Sequence, residues 1–304
     1  MGAEFSRGRL ARLRDLQNPD GGWGYFPGRH SWLEPTCYAL LALFPDSISP
    51  ARPQDRESWL RGWNYVRSLQ NPDGGWRPSA GVAAASWASA LALHLHLLRG
   101  VTDESFRQGI GWLLKLRGTE GGLLERAIAT VWKGAVEYDR RFKGWPWVPD
   151  TSSWIEPTAH TLLVLKKALR RGESAGVPVD LCRARIEEAE NMILDRRSPD
   201  GGWNYGNRRV KNVDLPSYPE TTAVALLGLQ GRPEADLTRA IALAKRYFTQ
   251  TRSRLARAWL AISLQNYGLE VALEECGPSN DILVTALEAI AFPQGGHQWL
   301  TPVS

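Results

Sequence analysis

Two six-residue strings, Ser31-Trp32-Leu33-Glu34-Pro35-Thr36 and Ser153-Trp154-Ile155-Glu156-Pro157-Thr158, set a carboxyl between an indole and a proline that opens an apolar run. Proline suits the first turn of a helix, where its missing N–H would have no partner anyway, and an acid there interacts favourably with the helix dipole. The dipole favours the carboxylate, whereas burial favours the protonated acid. Each glutamate is therefore either an ordinary helix-start device or a group with a tuned proton. Glu220 follows Pro219 at the head of a third apolar run. If these starts converge, Glu34, Glu156 and Glu220 beside Trp32 and Trp154 make a carboxyl cluster near aromatic faces, able to share a proton or stabilise a cation. Asp150, Asp214 and Tyr218 stand on the segments that lead into these helices. Tyr38, Trp87 and Trp147 are further aromatic candidates for lining a substrate site. The acid–base candidates are Glu156, Glu34 and Asp150. His160, one turn into its helix, reads either as a base or as a satisfied core histidine.

Metal chemistry is not signalled. His94 and His96 are two residues apart and face different sides of a helix. Cys37, Cys182 and Cys276 are odd in number and never form a CxxC pair, so neither a disulfide frame nor a thiolate site is expected, and a reducing cytoplasm fits. No metal and no cofactor are expected. Net charge is +5, but Arg and Lys are scattered among acids; no nucleic-acid partner is expected. The opening residues are charged throughout, unlike a secretory leader. The most apolar stretch, residues 82–98, contains Ser86, Ser89, His94 and His96 and reads as a buried helix.

The elements that must position these groups come from internal repetition. Pro-Asp-Gly-Gly-Trp occurs three times, ending at Trp23, Trp76 and Trp203, with a looser copy at Gly144-Trp145-Pro146-Trp147. The anchors Trp23, Trp76, Trp145 and Trp203 lie 53, 69 and 58 residues apart, room for two helices and two turns each. Before the turn the pattern is amphipathic, as in residues 57–69; after it, runs such as 35–44, 158–165 and 221–229 are apolar on every side and must be buried. An outer amphipathic helix followed by an inner apolar one, repeated five or six times, closes into two concentric rings. The predicted fold is all-α, a single α/α toroid over 1–304, with a helical insertion near 121–143. Fourteen tryptophans against two methionines suit recurring anchors or an aromatic-lined cavity.

Gln17-x-x-x-Gly21-x-Trp23 and Gln70-x-x-x-Gly74-x-Trp76 match the QW motif, and from about residue 10 to 270 the pattern resembles the squalene–hopene cyclase and prenyltransferase β-subunit repeat family. In the third copy Arg197 replaces Gln. The resemblance implies that these motifs staple outer helices and lie outside the catalytic site. Class II terpene cyclases carry Asp-x-Asp-Asp-Thr-Ala at an inner-helix start, and its middle acid protonates an alkene or epoxide. The counterpart here, Trp154-Ile155-Glu156-Pro157-Thr158-Ala159, sets Glu156 at that acid's position, with Trp154 and Pro157 in place of the flanking carboxylates. The zinc string of farnesyltransferase-like subunits has a formal match at Asp180-Leu181-Cys182, but before the turn, on the wrong side of the repeat. Asn280-Asp281 and Glu288 mimic the ends of a class I magnesium motif whose middle ligand is here Val284.

The resemblance implies a cytoplasmic cyclase-like isomerase holding a small isoprenoid or other apolar substrate in a central aromatic cavity, with room for peripheral membrane contact. Two alternatives stand beside it: a non-catalytic toroid binding a lipid, peptide or protein, and an enzyme on a polar substrate. Oligomeric state is left open.

Overall fold

A computed structural model of the chain describes residues 2–48, 53–120 and 138–291. Most of the insertion expected near 121–143 lies outside the described residues; 138–143 are described and form an irregular loop, not a helix.

Among the described residues five outer helices, α1 (Gly2–Asp15), α3 (Pro53–Ser68), α5 (Glu104–Lys115), α7 (Val179–Asp195) and α9 (Glu234–Gln250), surround six inner ones: α2 (Leu33–Ile48), α4 (Ser89–Arg99), α6 (Ile155–Arg171), α8 (Pro219–Gly228), α10 (Arg254–Asn266) and α11 (Ile282–Ala291). In α5 only Phe106, Gly109, Ile110, Leu113 and Leu114 are buried, one stripe at helical spacing. In α8 every residue from Thr221 to Gly228 is buried, because an inner helix meets protein on all sides. Each buried Leu or Val stabilises the rings by about 1.5–3 kcal/mol.

The inner ring closes: α2 packs on α4, α4 on α6, α6 on α8, α8 on α10, α10 on α11, and α11 returns to α2. One repeated backbone bond fixes the step between neighbours. The N–H groups of Leu33, Trp87, Ile155 and Ile282 donate to the carbonyls of Pro78, Trp147, Tyr205 and Tyr25, at 2.8, 2.9, 2.9 and 3.0 Å. The acceptors stand two residues after the anchors Trp76, Trp145, Trp203 and Trp23. The last of these bonds joins residue 282 to residue 25 and seals the circle. Alongside it, Glu288 of α11 accepts from Arg9 of α1 and Arg254 of α10, all at 2.8 Å.

The Gln motifs staple the outer helices. Gln17 Nε2 donates to the carbonyls of Gly21 (2.7 Å) and Ser58 (2.8 Å), and Gln70 Nε2 repeats this with Gly74 (3.1 Å) and Ser105 (2.9 Å). Arg197 reaches the Asp236 carbonyl at 2.8 Å, so the odd residue of the third copy also bridges to the next outer helix. Gly21, at φ 90°, cannot be replaced, since a Cβ there would lie 2.5 Å from the Arg61 carbonyl oxygen.

Candidate functional site

Each anchor Trp backbone N–H donates to a hydroxyl in the first turn of its inner helix: Thr36, Ser89, Thr158 and Thr222, at 2.8, 2.8, 2.9 and 3.1 Å. The indoles of Trp23, Trp145 and Trp203 donate to outer-helix carbonyls of Leu13, Leu113 and Ile193. The Thr of each Glu-Pro-Thr string is thus a structural tie. Two residues before these hydroxyls stand Glu34, Trp87, Glu156 and Glu220, gathered at one mouth of the barrel.

Glu34 and Glu156 are largely withdrawn from solvent and feel one another. Burial raises the Glu156 carboxyl to about 8, with further upward pushes from Glu34 and then Glu220. Burial raises Glu34 to about 7; the hydrogen bond from Tyr25 pulls it back and Asp281 pushes it up. That bond, Tyr25 hydroxyl to Glu34 Oε2, is 2.5 Å. Burial and the two glutamates drive the Tyr25 phenol far above its usual range, so it stays a donor. Near neutral pH the mouth therefore holds two carboxyls that tend to keep their protons, because burial outweighs the helix dipole.

Between the first three repeats this mouth opens into a pocket of about 250 Å³, lined by Tyr25, Trp32, Glu34, Pro78, Ser86, Trp87, Ala88, Trp147 and Val148. Trp87 and Trp147 meet edge to face at 5.1 Å, and Tyr25 and Trp32 lie 6.0 Å apart. One turn deeper lies a group of aromatic rings. Tyr38 of α2, His160 of α6 and Trp259 of α10, from alternate inner helices, meet on the axis at ring distances of 5.7–6.3 Å. Beneath the pocket these three aromatics pack on one another between alternate inner helices. Tyr38 and His160 are linked at 3.3 Å. Both are fully buried, and burial depresses His160 to about 3, which keeps it neutral. Its surroundings are those of a packed core residue.

The other expected residues divide. Trp32, Trp87 and Trp147 line the pocket. Trp154 lies instead against Gly206, where an added Cβ would meet its ring at 3.1 Å. Tyr218 is exposed and packs at 5.2 Å on Tyr205, whose phenol is pushed upward by burial and then by the Glu220 charge. Asp150 is exposed on its loop with φ 63°. Asp214 pairs with Arg209 in a two-residue hairpin. Tyr25, Tyr205 and Asp281 belong to the cluster and were missed. A signal existed for the first two: Tyr25, Trp147 and Tyr205 all follow an anchor Trp by two residues. Asp281 had none, since only ring closure brings α11 to α2. Among the described residues no group of His, Cys, Asp and Glu is arranged to hold a metal, and no helix is long and apolar enough to cross a membrane.

The segment carrying Glu156 is clamped in its own way. In the first repeat Ser31 bonds Asp20, and its carbonyl accepts from the Tyr65 hydroxyl; in the fourth, Ser217 bonds Asp200 and accepts from Tyr247. In the third, Glu120 accepts from the Ser153 N–H at 2.6 Å, Arg196 donates to the Ser153 carbonyl at 2.6 Å, and the two pair at 2.8 Å, both buried. An ion pair stands in for the turn aspartate and tyrosine.

Stability should carry the mark of the buried acids. In the folded chain Glu34 and Glu156 hold their protons up to about 7 and about 8, whereas the ordinary value is 4.5. Between these limits the folded state binds more protons, so stability falls as pH rises, by at most about 1.4 kcal/mol per pH unit per group. Urea melts across this window should show the fall, and the double variant Glu34→Gln, Glu156→Gln should flatten it. Parallel slopes for the two proteins would contradict the assignment.

Two rings of helices, stapled by Gln-turn-Trp motifs, define an α/α toroid, the fold that type II terpene cyclases among the solved structures share. In sequence the chain is 25% identical to squalene–hopene cyclase of Bradyrhizobium diazoefficiens over 179 residues, 51% of this chain and 24% of that protein. It is 26% identical to drimenyl diphosphate synthase of Streptomyces showdoensis over 239 residues, 74% of this chain and 37% of that protein. The chain thus matches well under half the length of either relative. No family model matches. Among solved structures, the type II terpene cyclase MstE from Scytonema, in complex with its substrate geranylgeranyl dihydroxybenzoate, superposes with TM-score 0.56 at 17% identity over 96% of this chain and 76% of that one. Cellobiose 2-epimerase from Bacillus thermoamylovorans superposes with TM-score 0.52 at 9% identity, over 88% and 81%. At these identities the likeness is one of fold.

Proposed function

We propose that the protein is a class II-like cyclase acting on a short isoprenoid or similar apolar substrate by acid–base chemistry, with Glu156 as the acid and Glu34 its neighbour. The observation that carries this is a tryptophan-lined pocket with the proton-holding Glu34 in its wall and the proton-holding Glu156 coupled to it at the next inner-helix start but one. The named relatives make or cyclise isoprenoids. The motif resemblance sets Glu156 at the place of the acid of class II cyclases, which supports this reading.

An acid raised to about 8 is protonated at neutral pH but is a weak donor, poorly matched to an isolated alkene. It suits a substrate whose acceptor is oxygen, such as an epoxide. Glu156 gives its proton to that oxygen, the C–O bond breaks as a neighbouring alkene forms the new C–C bond, and the resulting cation returns a proton to a carboxylate. Indole and phenol faces stabilise the cation meanwhile. The pocket, about 250 Å³, lies just below the usual 300–1,000 Å³ of ligand sites, which favours short chains. Incubation with prenyl diphosphates, epoxidised prenyl chains and squalene, followed by mass analysis of products, tests this. Cyclised product from a short oxygenated chain is expected; no cyclisation of any would overturn it. A polar substrate is the second reading, favoured by the tyrosine and carboxyl rim of Tyr205, Tyr218 and Glu220; conversion of a disaccharide in place of the prenyl chains would decide for it.

A further inference from the structure

The lining of the mouth pocket suits a stable cation as well as a transient one. Three tryptophans, Trp32, Trp87 and Trp147, and Tyr25 surround a single carboxyl, Glu34, and the remaining lining residues, Pro78, Ser86, Ala88 and Val148, are neutral. Among the described residues, no Lys or Arg lines it. Aromatic rings carry negative potential on their faces, and several around one small space recognise organic ammonium ions far better than uncharged molecules of the same shape. A carboxyl at the edge of such a cage supplies the counter-charge. We propose that this pocket is a binding site for the head of an organic ammonium ion, caged by Trp32, Trp87, Trp147 and Tyr25 and balanced by Glu34. The proposal does not rest on the cyclase reading, because binding of a stable cation needs no turnover.

The surroundings of Glu34 make the site sensitive to pH. Tyr25 donates to it; Asp281 at the start of α11 and Glu156 at the start of α6 face it; Cys37 and Tyr38 follow on its own helix. The segment before α4 contributes Ser86, Trp87 and Ala88 to the pocket, none of them ionisable. Among the described residues, none of these neighbours is a cation that would compete with a ligand for the carboxylate. A bound ammonium ion favours ionised Glu34, so binding releases a proton below about 7, the value to which Glu34 is raised, and affinity rises as pH passes through it.

Titration calorimetry on the whole chain with choline and with its uncharged isostere 3,3-dimethylbutan-1-ol tests this. Choline is expected to bind at least about tenfold more tightly than the alcohol, more tightly at pH 8 than at pH 6, with heats at pH 6 that depend on the buffer's protonation enthalpy. Glu34→Gln should abolish the pH dependence, and Trp32→Leu, at a half-buried position, should weaken choline about tenfold without lowering the melting temperature. Equal affinity for the two probes, or choline binding unchanged in Glu34→Gln, would overturn the proposal. Cyclisation without choline binding would remove this site and leave the cyclase reading; choline binding without cyclisation would do the reverse.

Discussion

Glu156→Gln is expected to lower the rate of proton-dependent turnover by about 10²–10⁴-fold while leaving the fold intact. Glutamine has the shape of the protonated acid that Glu156 already is near neutral pH, so the substitution removes a transferable proton and little else. It also removes a buried group that would otherwise ionise, so the variant should melt at the same temperature as the parent or higher above pH 8. The measurement is initial rate with whichever prenyl substrate turns over, beside thermal melts of both proteins. Glu34→Gln provides the contrast. Its carboxyl, held by Tyr25 at 2.5 Å, is placed to tune Glu156, and its loss should shift the pH profile more than the maximal rate. A fall of only a few-fold in Glu156→Gln would move the acid to Glu34.

Arg196→Met is expected to destabilise the chain by about 3–5 kcal/mol, because it strands the buried Glu120 without its counter-charge. The double variant Glu120→Met, Arg196→Met should recover most of that loss, since two apolar side chains leave no isolated charge. Denaturant melts of the parent, the two single variants and the double variant give the coupling directly; additive losses would show that the pair does not act as a unit. Activity should separate from stability here. The pair grips both backbone groups of Ser153, three residues before Glu156, so the double variant should fold yet hold the acid less well.

The chain's one-dimensional pattern determined the architecture. A Gln, a Gly at positive φ and a Trp at fixed spacing write a turn, and the change from amphipathic to wholly apolar helices assigns outer and inner rings, because both signals depend only on near neighbours and on the period of the helix. The convergence of Glu34, Glu156 and Glu220 was legible for the same reason: equal repeats place equal positions at one end of a closed ring.

The tertiary structure alone decided what surrounds those acids. Tyr25 and Asp281 meet at Glu34 only because the last inner helix returns to the first loop, and no local pattern relates residue 281 to residue 34. Trp32 and Trp154 occupy the same place in the same string, yet Trp32 lines the pocket and Trp154 packs on Gly206, because their neighbours come from different repeats. Tyr38, His160 and Trp259 look like ordinary inner-helix residues one at a time. Their meeting is a product of the closed ring, since three alternate inner helices each bring one ring to a common point. The period of the chain places the carboxyls; burial, a property of the closed ring, sets their protons.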